Sequence, residues 1–96
     1  MRTEITKELL EHYFEITKKA FEELTEILPQ NTHLDTIAKD FYNMAKTYFD
    51  DAKYFMEKGD YINAFGALYY AHAWLDAGAR LGLWDVKHNN KLFTVD

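Results

Sequence analysis

The sequence predicts an all-α protein, an antiparallel up-down-up bundle of three helices with a short non-helical C-terminal tail. Apolar residues recur at intervals of three and four along two long segments, which is the period of an amphipathic helix. A third segment is apolar on nearly every side. The connections between these segments are short, and short connections make consecutive helices antiparallel neighbours.

The size and composition of the chain predict one domain, residues 1–96. Ninety-six residues leave no room for two independent cores. The chain is 48% hydrophobic and 17% aromatic, with one proline and four glycines. This composition excludes a disordered chain and predicts a compact fold with few loops.

The first helix is predicted over about residues 3–28. Its apolar face contains Leu10, Phe14, Thr17, Phe21, Leu24 and Leu28. Thr3 or Thr6 could cap its start. Pro29 is expected to end the helix, because the residue before a proline is driven out of the helical conformation.

The second helix is predicted over about residues 35–58, and the residues between the two helices, His33 among them, are expected to form a loop. Its apolar face contains Ile37, Phe41, Ala45, Tyr48, Ala52 and Phe55. Asn31, Thr32 or Asp35 could cap its start.

The third helix, predicted over about residues 61–81, differs from the other two because it is apolar nearly all round. Gly59 suits the left-handed position that ends the second helix, and Asp60 suits the N-cap of the third. Gly66 and Gly78 are poor helix formers, so we expect them to allow close approach of a neighbouring helix. A helix of this kind lies at the centre of its fold or is covered by another chain.

The tail, residues 83–96, shows no helical period. Leu83 and Trp84 are expected to fold back over the end of the bundle. Residues 92–95 have the composition of a strand, but a lone strand has no partner in this chain. The tail is therefore expected to be ordered only if it docks on its own bundle or on another subunit.

His72, Asp76 and Arg80 follow one another at spacings of four, on one stripe of the third helix. Side chains four apart on a helix are neighbours, so Asp76 can reach the other two. Asp76 could orient His72 as a general base, or Arg80 could bind a carboxylate or phosphate. Alternatively the three side chains satisfy one another, with the Tyr69 hydroxyl joining them, as a structural network.

The aromatic residues of the third helix and the tail form a candidate interface. Tyrosine and tryptophan are common at protein interfaces because they combine apolar area with a polar tip. The candidate residues are Tyr70, Trp74, Trp84 and Phe93. Core packing with the hydroxyl groups at the rim is the competing interpretation.

Charge and composition argue against several classes of partner. The formal net charge is −5 and the pI is about 5.3, so neither a duplex nucleic acid nor an anionic membrane is an expected partner. The absence of cysteine excludes disulfides and thiolate metal sites. The histidines are scattered, and neither a metal nor a cofactor is expected. Without an apolar leader or a bilayer-spanning segment, a cytoplasmic protein is predicted.

The segment from Asp51 to Gly82, DAKYFMEKGDYINAFGALYYAHAWLDAGARLG, resembles a small archaeal family catalogued as domain of unknown function 357. The resemblance extends more weakly over the first helix. It implies a three-helix up-and-down bundle from an archaeal cytoplasm and implies no activity. The chain is also loosely similar to HEPN helical domains, but Arg80 is separated from His88 by LGLWDVK, a longer gap than in the ribonucleolytic members.

Two functional hypotheses follow from the sequence. The first is a non-enzymatic helical module that self-associates or docks on a protein partner through the third helix and the tail. The second is a small-ligand or nucleotide-binding domain in which His72, Asp76 and Arg80 line a pocket beside Tyr69. An enzyme that uses His72 as a base is a third and weaker hypothesis.

Overall fold

The described part of the chain folds into three helices and a short β pairing, which confirms the all-α three-helix bundle. The computed structural model describes residues 4–26, 32–86, 89 and 91–93. The helices are α1 (Lys7–Glu23), α2 (His33–Glu57) and α3 (Tyr61–Leu81), and the strands are β1 (Thr25–Glu26) and β2 (Trp84–Asp85). α3 packs against both other helices, more extensively against α2 than against α1.

The helix ends follow local capping chemistry. Thr6, Thr32 and Asp60 are the N-caps, and each side chain accepts a hydrogen bond of 3.1–3.2 Å from the backbone N–H three residues later. Gly59 and Gly82 follow the ends of α2 and α3 with φ of 77° and 81°. That left-handed conformation is strained for any residue with a Cβ atom. The predicted roles of Asp60 and Gly59 are thus confirmed.

The predicted first helix is too long at both ends. α1 begins at Lys7, directly after its Thr6 cap, and ends at Glu23. Leu24 is already extended, with φ −72° and ψ 131°, because the next two residues form β1 and pair antiparallel with β2. Leu28 and Pro29 lie outside the described residues. α2 starts earlier than predicted, since His33 is its first residue rather than part of a loop.

The core has two parts along the bundle. One cluster of buried residues contains Leu10, Phe49, Ala52, Ala64, Leu68 and Ala71. The other contains Ala20, Ala38, Ala45, Leu75 and four residues from beyond α3: Leu83, Trp84, Val86 and Phe93. The expectation that the tail folds back over the end of the bundle is therefore confirmed for these residues.

The strand predicted at residues 92–95 is not observed at Leu92 and Phe93, which lie in a turn. Thr94 and Val95 are outside the described residues. The strand of the tail is instead β2, and its partner is β1. Among the described helices, none combines the length and the apolar character needed to cross a membrane.

The two glycines inside α3 have different surroundings. A Cβ atom on Gly78 would lie 2.7 Å from Cη2 of Trp84 and closer still to two other indole atoms. Close approach is therefore confirmed at Gly78, although the neighbour is the folded-back tail and not a helix. Around Gly66, apart from the adjacent residues and the backbone of its own helix, no atom of the described chain lies within 4 Å of such a Cβ. No other helix of the described chain therefore approaches this glycine closely.

Candidate functional site

His72 joins three separate parts of the chain. Its Nδ1 atom lies 3.1 Å from the hydroxyl oxygen of Thr17 on α1. Its Nε2 atom makes a short hydrogen bond with the backbone carbonyl oxygen of Leu92. The Thr17 residue is only 3% exposed. His72 therefore connects α3 to the middle of α1 and to the C-terminal segment.

The chemistry of the two hydrogen-bond partners assigns the proton of the His72 ring. A backbone carbonyl can only accept a hydrogen bond, so Nε2 must carry the hydrogen. In the neutral ring Nδ1 then has a lone pair and accepts the hydroxyl hydrogen of Thr17. Both ring nitrogens are used in this way, which leaves the neutral ring no nitrogen to act as a base toward a substrate.

The stripe predicted along α3 is divided in the structure. His72 and Asp76 are half-buried, whereas Arg80 is exposed. The hydrogen bonds of His72 reach Thr17 and Leu92 rather than the next residues of the stripe. His72 therefore connects α3 to α1 and to the C-terminal segment, whereas Arg80 lies on the surface.

A groove of about 230 Å³ runs between α1 and α3 beside His72. Its lining residues are Tyr13, Ile16, Thr17, Leu68, Tyr69, His72, Ala73 and Asp76. Three of the four predicted network residues thus meet at the groove, and Arg80 does not line it. Among the described residues, the lining contains one carboxylate and no lysine or arginine.

Tyr13 and Tyr69 form one wall of this groove as an interacting pair. Their ring centroids are 5.4 Å apart, and both rings contact Phe65, at 5.3 and 4.7 Å. A hydrogen bond with Tyr13, together with partial burial and the Tyr13 charge at high pH, raises the pKa of Tyr69 above its ordinary value of 10.0. Tyr69 therefore keeps its proton to higher pH than an isolated phenol would.

The solvent-exposed side of α3 is mostly apolar, and at its edges Tyr69 and Ala73 also line the groove and Tyr70 contacts Tyr48 of α2. We call this side the outer face of α3. It consists of Ile62, Asn63, Gly66, Tyr69, Tyr70, Ala73, Ala77, Arg80 and Leu81. Ile62 is 76% exposed and Leu81 is 60% exposed. Only Asn63 and Arg80 interrupt a surface of aliphatic, aromatic and glycine residues.

The exposed side of α1 has the opposite character. Its exposed positions are Lys7, Glu8, Glu11, His12, Glu15, Lys18, Lys19 and Glu22. Every one of these side chains is charged or a histidine, as expected for a helix face that remains in water. α2 also exposes large hydrophobic residues, Leu34, Tyr42 and Tyr54, but these lie among charged and polar positions. The outer face of α3 is therefore the more continuous apolar surface of the described helices.

The four residues predicted as an interface occupy different places. Tyr70 is 47% exposed and its ring packs 4.5 Å from that of Tyr48. Trp74 is half-buried, with its ring 4.9 Å from that of Phe41. Trp84 and Phe93 are only 5% and 2% exposed. The prediction is corrected for these last two residues, since they fill the protein's own core and offer no surface to a partner.

Trp84 is fixed by two contacts with α3. Its indole Nε1 donates a hydrogen bond of 3.1 Å to the carbonyl oxygen of Leu75, and its ring covers Gly78. A carbonyl oxygen has two lone pairs, so that of Leu75 can accept this bond in addition to a bond within the helix. The indole thus attaches the segment after α3 to the end of the bundle.

Sequence reasoning did not identify Thr17 and Tyr13 as partners of the stripe. Thr17 carried a signal, because it is a hydroxyl residue inside the otherwise apolar face of α1. A hydroxyl at such a position needs a hydrogen-bond partner when it is buried. No comparable signal distinguished Tyr13 from an ordinary core residue. Among the described residues, no cluster of three or more histidine, aspartate or glutamate side chains could hold a metal ion.

The chain belongs to the family described as "Protein of unknown function (DUF357)", whose model matches residues 12–84. The matched region covers most of α1, all of α2 and α3, and the Trp84 residue that closes the end of the bundle. The resemblance stated from the sequence is therefore confirmed. No curated protein and no solved structure matches the chain.

Proposed function

We propose that this protein is a non-enzymatic docking module that binds a protein partner through the outer face of α3. The observation that carries the proposal is the contrast between this apolar face and the charged exposed side of α1. Contiguous apolar surface on a small domain commonly marks a site of protein interaction. Covering Ile62 and Leu81 would remove two largely exposed aliphatic side chains from water.

The composition of the face fits a helical partner. Gly66, Ala73 and Ala77 are small residues on the exposed side of α3, two turns and one turn apart, and small side chains allow two helix axes to approach closely. The tyrosines at positions 69 and 70 add aromatic area with a polar tip on either side of them. An archaeal, cytoplasmic setting is part of the proposal, and it is supported by the lack of cysteine and by the family resemblance.

A variant that carries a charged residue on the outer face of α3 tests the docking function. In the Ala73→Glu variant the substituted residue is exposed, so the bundle is expected to fold while the face loses its apolar character. Lys18→Glu is the matched control, because it adds the same side chain to the exposed side of α1. Tagged wild-type and variant chains are compared for the proteins that they retain from extracts of the native cell.

The proposal predicts a protein that is retained by the wild type and by Lys18→Glu and lost with Ala73→Glu. Circular dichroism must show the same helical content in all three chains. Retention of the same proteins by all three folded chains would contradict docking through this face.

A second candidate function rests on the groove between α1 and α3. Two tyrosine rings and the Asp76 carboxylate are suited to an organic cation, whereas a nucleotide phosphate would meet a carboxylate and no lysine or arginine in the lining. Thermal unfolding with spermidine, tetramethylammonium or adenosine monophosphate tests this candidate. A cation should raise the melting temperature and the nucleotide should not. No shift with either cation would reject the site.

A further inference from the structure

We infer that the occupant of the outer face of α3 is a second copy of this chain, with the two α3 helices antiparallel around a two-fold axis near the middle of the helix. The inference rests on the proposed docking function and specifies its partner. A two-fold interface is isologous, so the same patch must be complementary to itself when its direction is reversed.

The outer face meets this requirement in one register. When α3 is reversed about its midpoint, Ile62 lies opposite Leu81 of the partner subunit. In the same register Gly66 lies opposite Ala77 of the partner subunit, and Tyr70 lies opposite Ala73 of the partner subunit. Large aliphatic residues thus meet at both ends, and in the middle each tyrosine ring faces a methyl group. The exposed positions of the helix overlap along nearly their whole length of about 30 Å.

Gly66 provides an independent reason for a neighbour at this face. A glycine inside a helix is less stable than an alanine by about 0.5–1 kcal/mol. The described residues of the same chain leave the space around a Gly66 Cβ empty within 4 Å, so intramolecular packing does not require glycine. In the antiparallel pair Gly66 lies opposite Ala77 of the partner subunit, beside the two-fold axis, where small side chains on both helices allow an interaxial distance of about 8 Å.

The polar residues at the two ends of the face are also complementary in the antiparallel arrangement. Arg80, near the end of α3, lies opposite Asn63 of the partner subunit. Asp60 of the partner subunit is one turn away from that asparagine, so Arg80 also comes near its carboxylate. A parallel arrangement would instead bring the two Arg80 side chains together. Like charges at an interface oppose association, and opposite charges fix the register.

The available area predicts a reversible dimer. One third of the circumference of a helix about 11 Å wide and about 30 Å long is roughly 350 Å² per copy. The half-exposed tyrosine rings widen this strip, so the total buried area is expected to be roughly 800–1,200 Å². That is the lower end of specific interfaces. We therefore expect a dissociation constant on the order of 10–100 µM.

Sedimentation equilibrium of the whole chain measures the association. The weight-average mass should rise from 11.4 kDa toward twice that value as the concentration increases from about 5 µM to about 500 µM. Gly66→Leu should hold the mass at the monomer value, because a leucine side chain separates the two helices. Lys18→Leu is the matched control, since it adds an exposed leucine to α1, and it should associate as the wild type does.

Disulfide crosslinking measures the direction of the pairing. The chain contains no cysteine, and Ile62→Cys and Leu81→Cys replace exposed residues. When the two variants are mixed and oxidised, the antiparallel register predicts the mixed dimer in excess over both homodimers. A parallel pair would give the two homodimers instead. Isotopic labelling of one variant distinguishes the products by mass.

Three results would overturn the inference: a wild-type mass that stays at 11.4 kDa up to 500 µM, unchanged association of Gly66→Leu, or homodimers as the main disulfide products. The docking function is tested separately. Suppose that the chain remains monomeric, and that another protein of the extract is retained by the wild type and not by Ala73→Glu. Self-association is then wrong, and docking through the outer face is still supported. If Ala73→Glu loses nothing and the chain is monomeric, both fail.

Discussion

Replacing Gly78 by alanine tests the packing of the tail on α3 most sharply, because the same helix provides a matched control. A Cβ atom at position 78 would lie 2.7 Å from Cη2 of Trp84 and nearer to Cζ2 and Cε2. The indole is 5% exposed and is held by its bond to the Leu75 carbonyl. It therefore cannot move aside without losing buried contacts.

The expected cost follows from three contributions. Overpacking a buried site costs about 1–3 kcal/mol, and displacement of the indole loses a hydrogen bond worth about 1 kcal/mol. Alanine recovers about 0.5–1 kcal/mol because it is the better helix former. We therefore expect Gly78→Ala to lower the free energy of unfolding by about 1–3.5 kcal/mol.

Gly66→Ala is the control, because it makes the same chemical change at a site where the described chain leaves the added methyl group free of contacts. It should raise the free energy of unfolding by about 0.5–1 kcal/mol. The assay is urea unfolding followed by circular dichroism, at a protein concentration of a few micromolar so that association does not contribute. Tryptophan fluorescence of the same samples reports the environments of Trp74 and Trp84 together.

The reasoning would be refuted if Gly78→Ala were as stable as Gly66→Ala, or more stable than the wild type. Such a result would mean that the indole does not lie on α3 in solution. A loss of stability at both positions would also contradict the account, since it would show that alanine is disfavoured for a reason unrelated to Trp84.

Three further predictions concern the contacts that Thr17, Tyr13 and Trp84 make within the protein. Thr17→Val keeps the shape of the side chain but removes the hydrogen-bond donor to His72, so it should cost about 1–2 kcal/mol in urea unfolding. In folded protein, Tyr13→Phe should return the pKa of Tyr69 toward 10, as measured by absorbance at high pH. That pKa is raised in the folded state. Tyr69 therefore contributes to the free energy of unfolding below about pH 10, and this contribution is lost as the pH rises through the pKa that Tyr69 has in the folded protein. Trp84→Phe should cost about 1–3 kcal/mol, because it loses the indole N–H bond and part of the ring, and hydrogen exchange should increase in β1 and β2.

The regular part of the fold could be predicted from the sequence because it depends on local rules. The bounds of α3 match the prediction at both ends, where Asp60 and Gly82 provide a cap and a left-handed stop. The end of α1 could not be predicted in the same way. The conformation of Leu24 is set by the pairing of β1 with β2, a contact between residues far apart in the sequence.

The same distinction between local patterns and contacts of distant residues applies to the candidate site. The spacing of His72, Asp76 and Arg80 on one helix is a local property, and the sequence is sufficient to see it. The partners of His72 come from α1 and from the C-terminal segment, so no spacing rule identifies them. Likewise the sequence indicated that α3 is apolar nearly all round. Only the exposed fraction of each side chain in the structure assigns Trp84 to the core and Ile62 to the surface.

The central claim, that the outer face of α3 is a docking surface, is tested most directly by site-specific photocrosslinking in the native cell. A photoreactive amino acid replaces Ala73 in one chain and Lys18 in another, so the two probes report on the apolar face and on the charged side of α1. The account predicts discrete covalent adducts from position 73 and none from position 18. Equal adducts from both positions, or none from position 73, would contradict it.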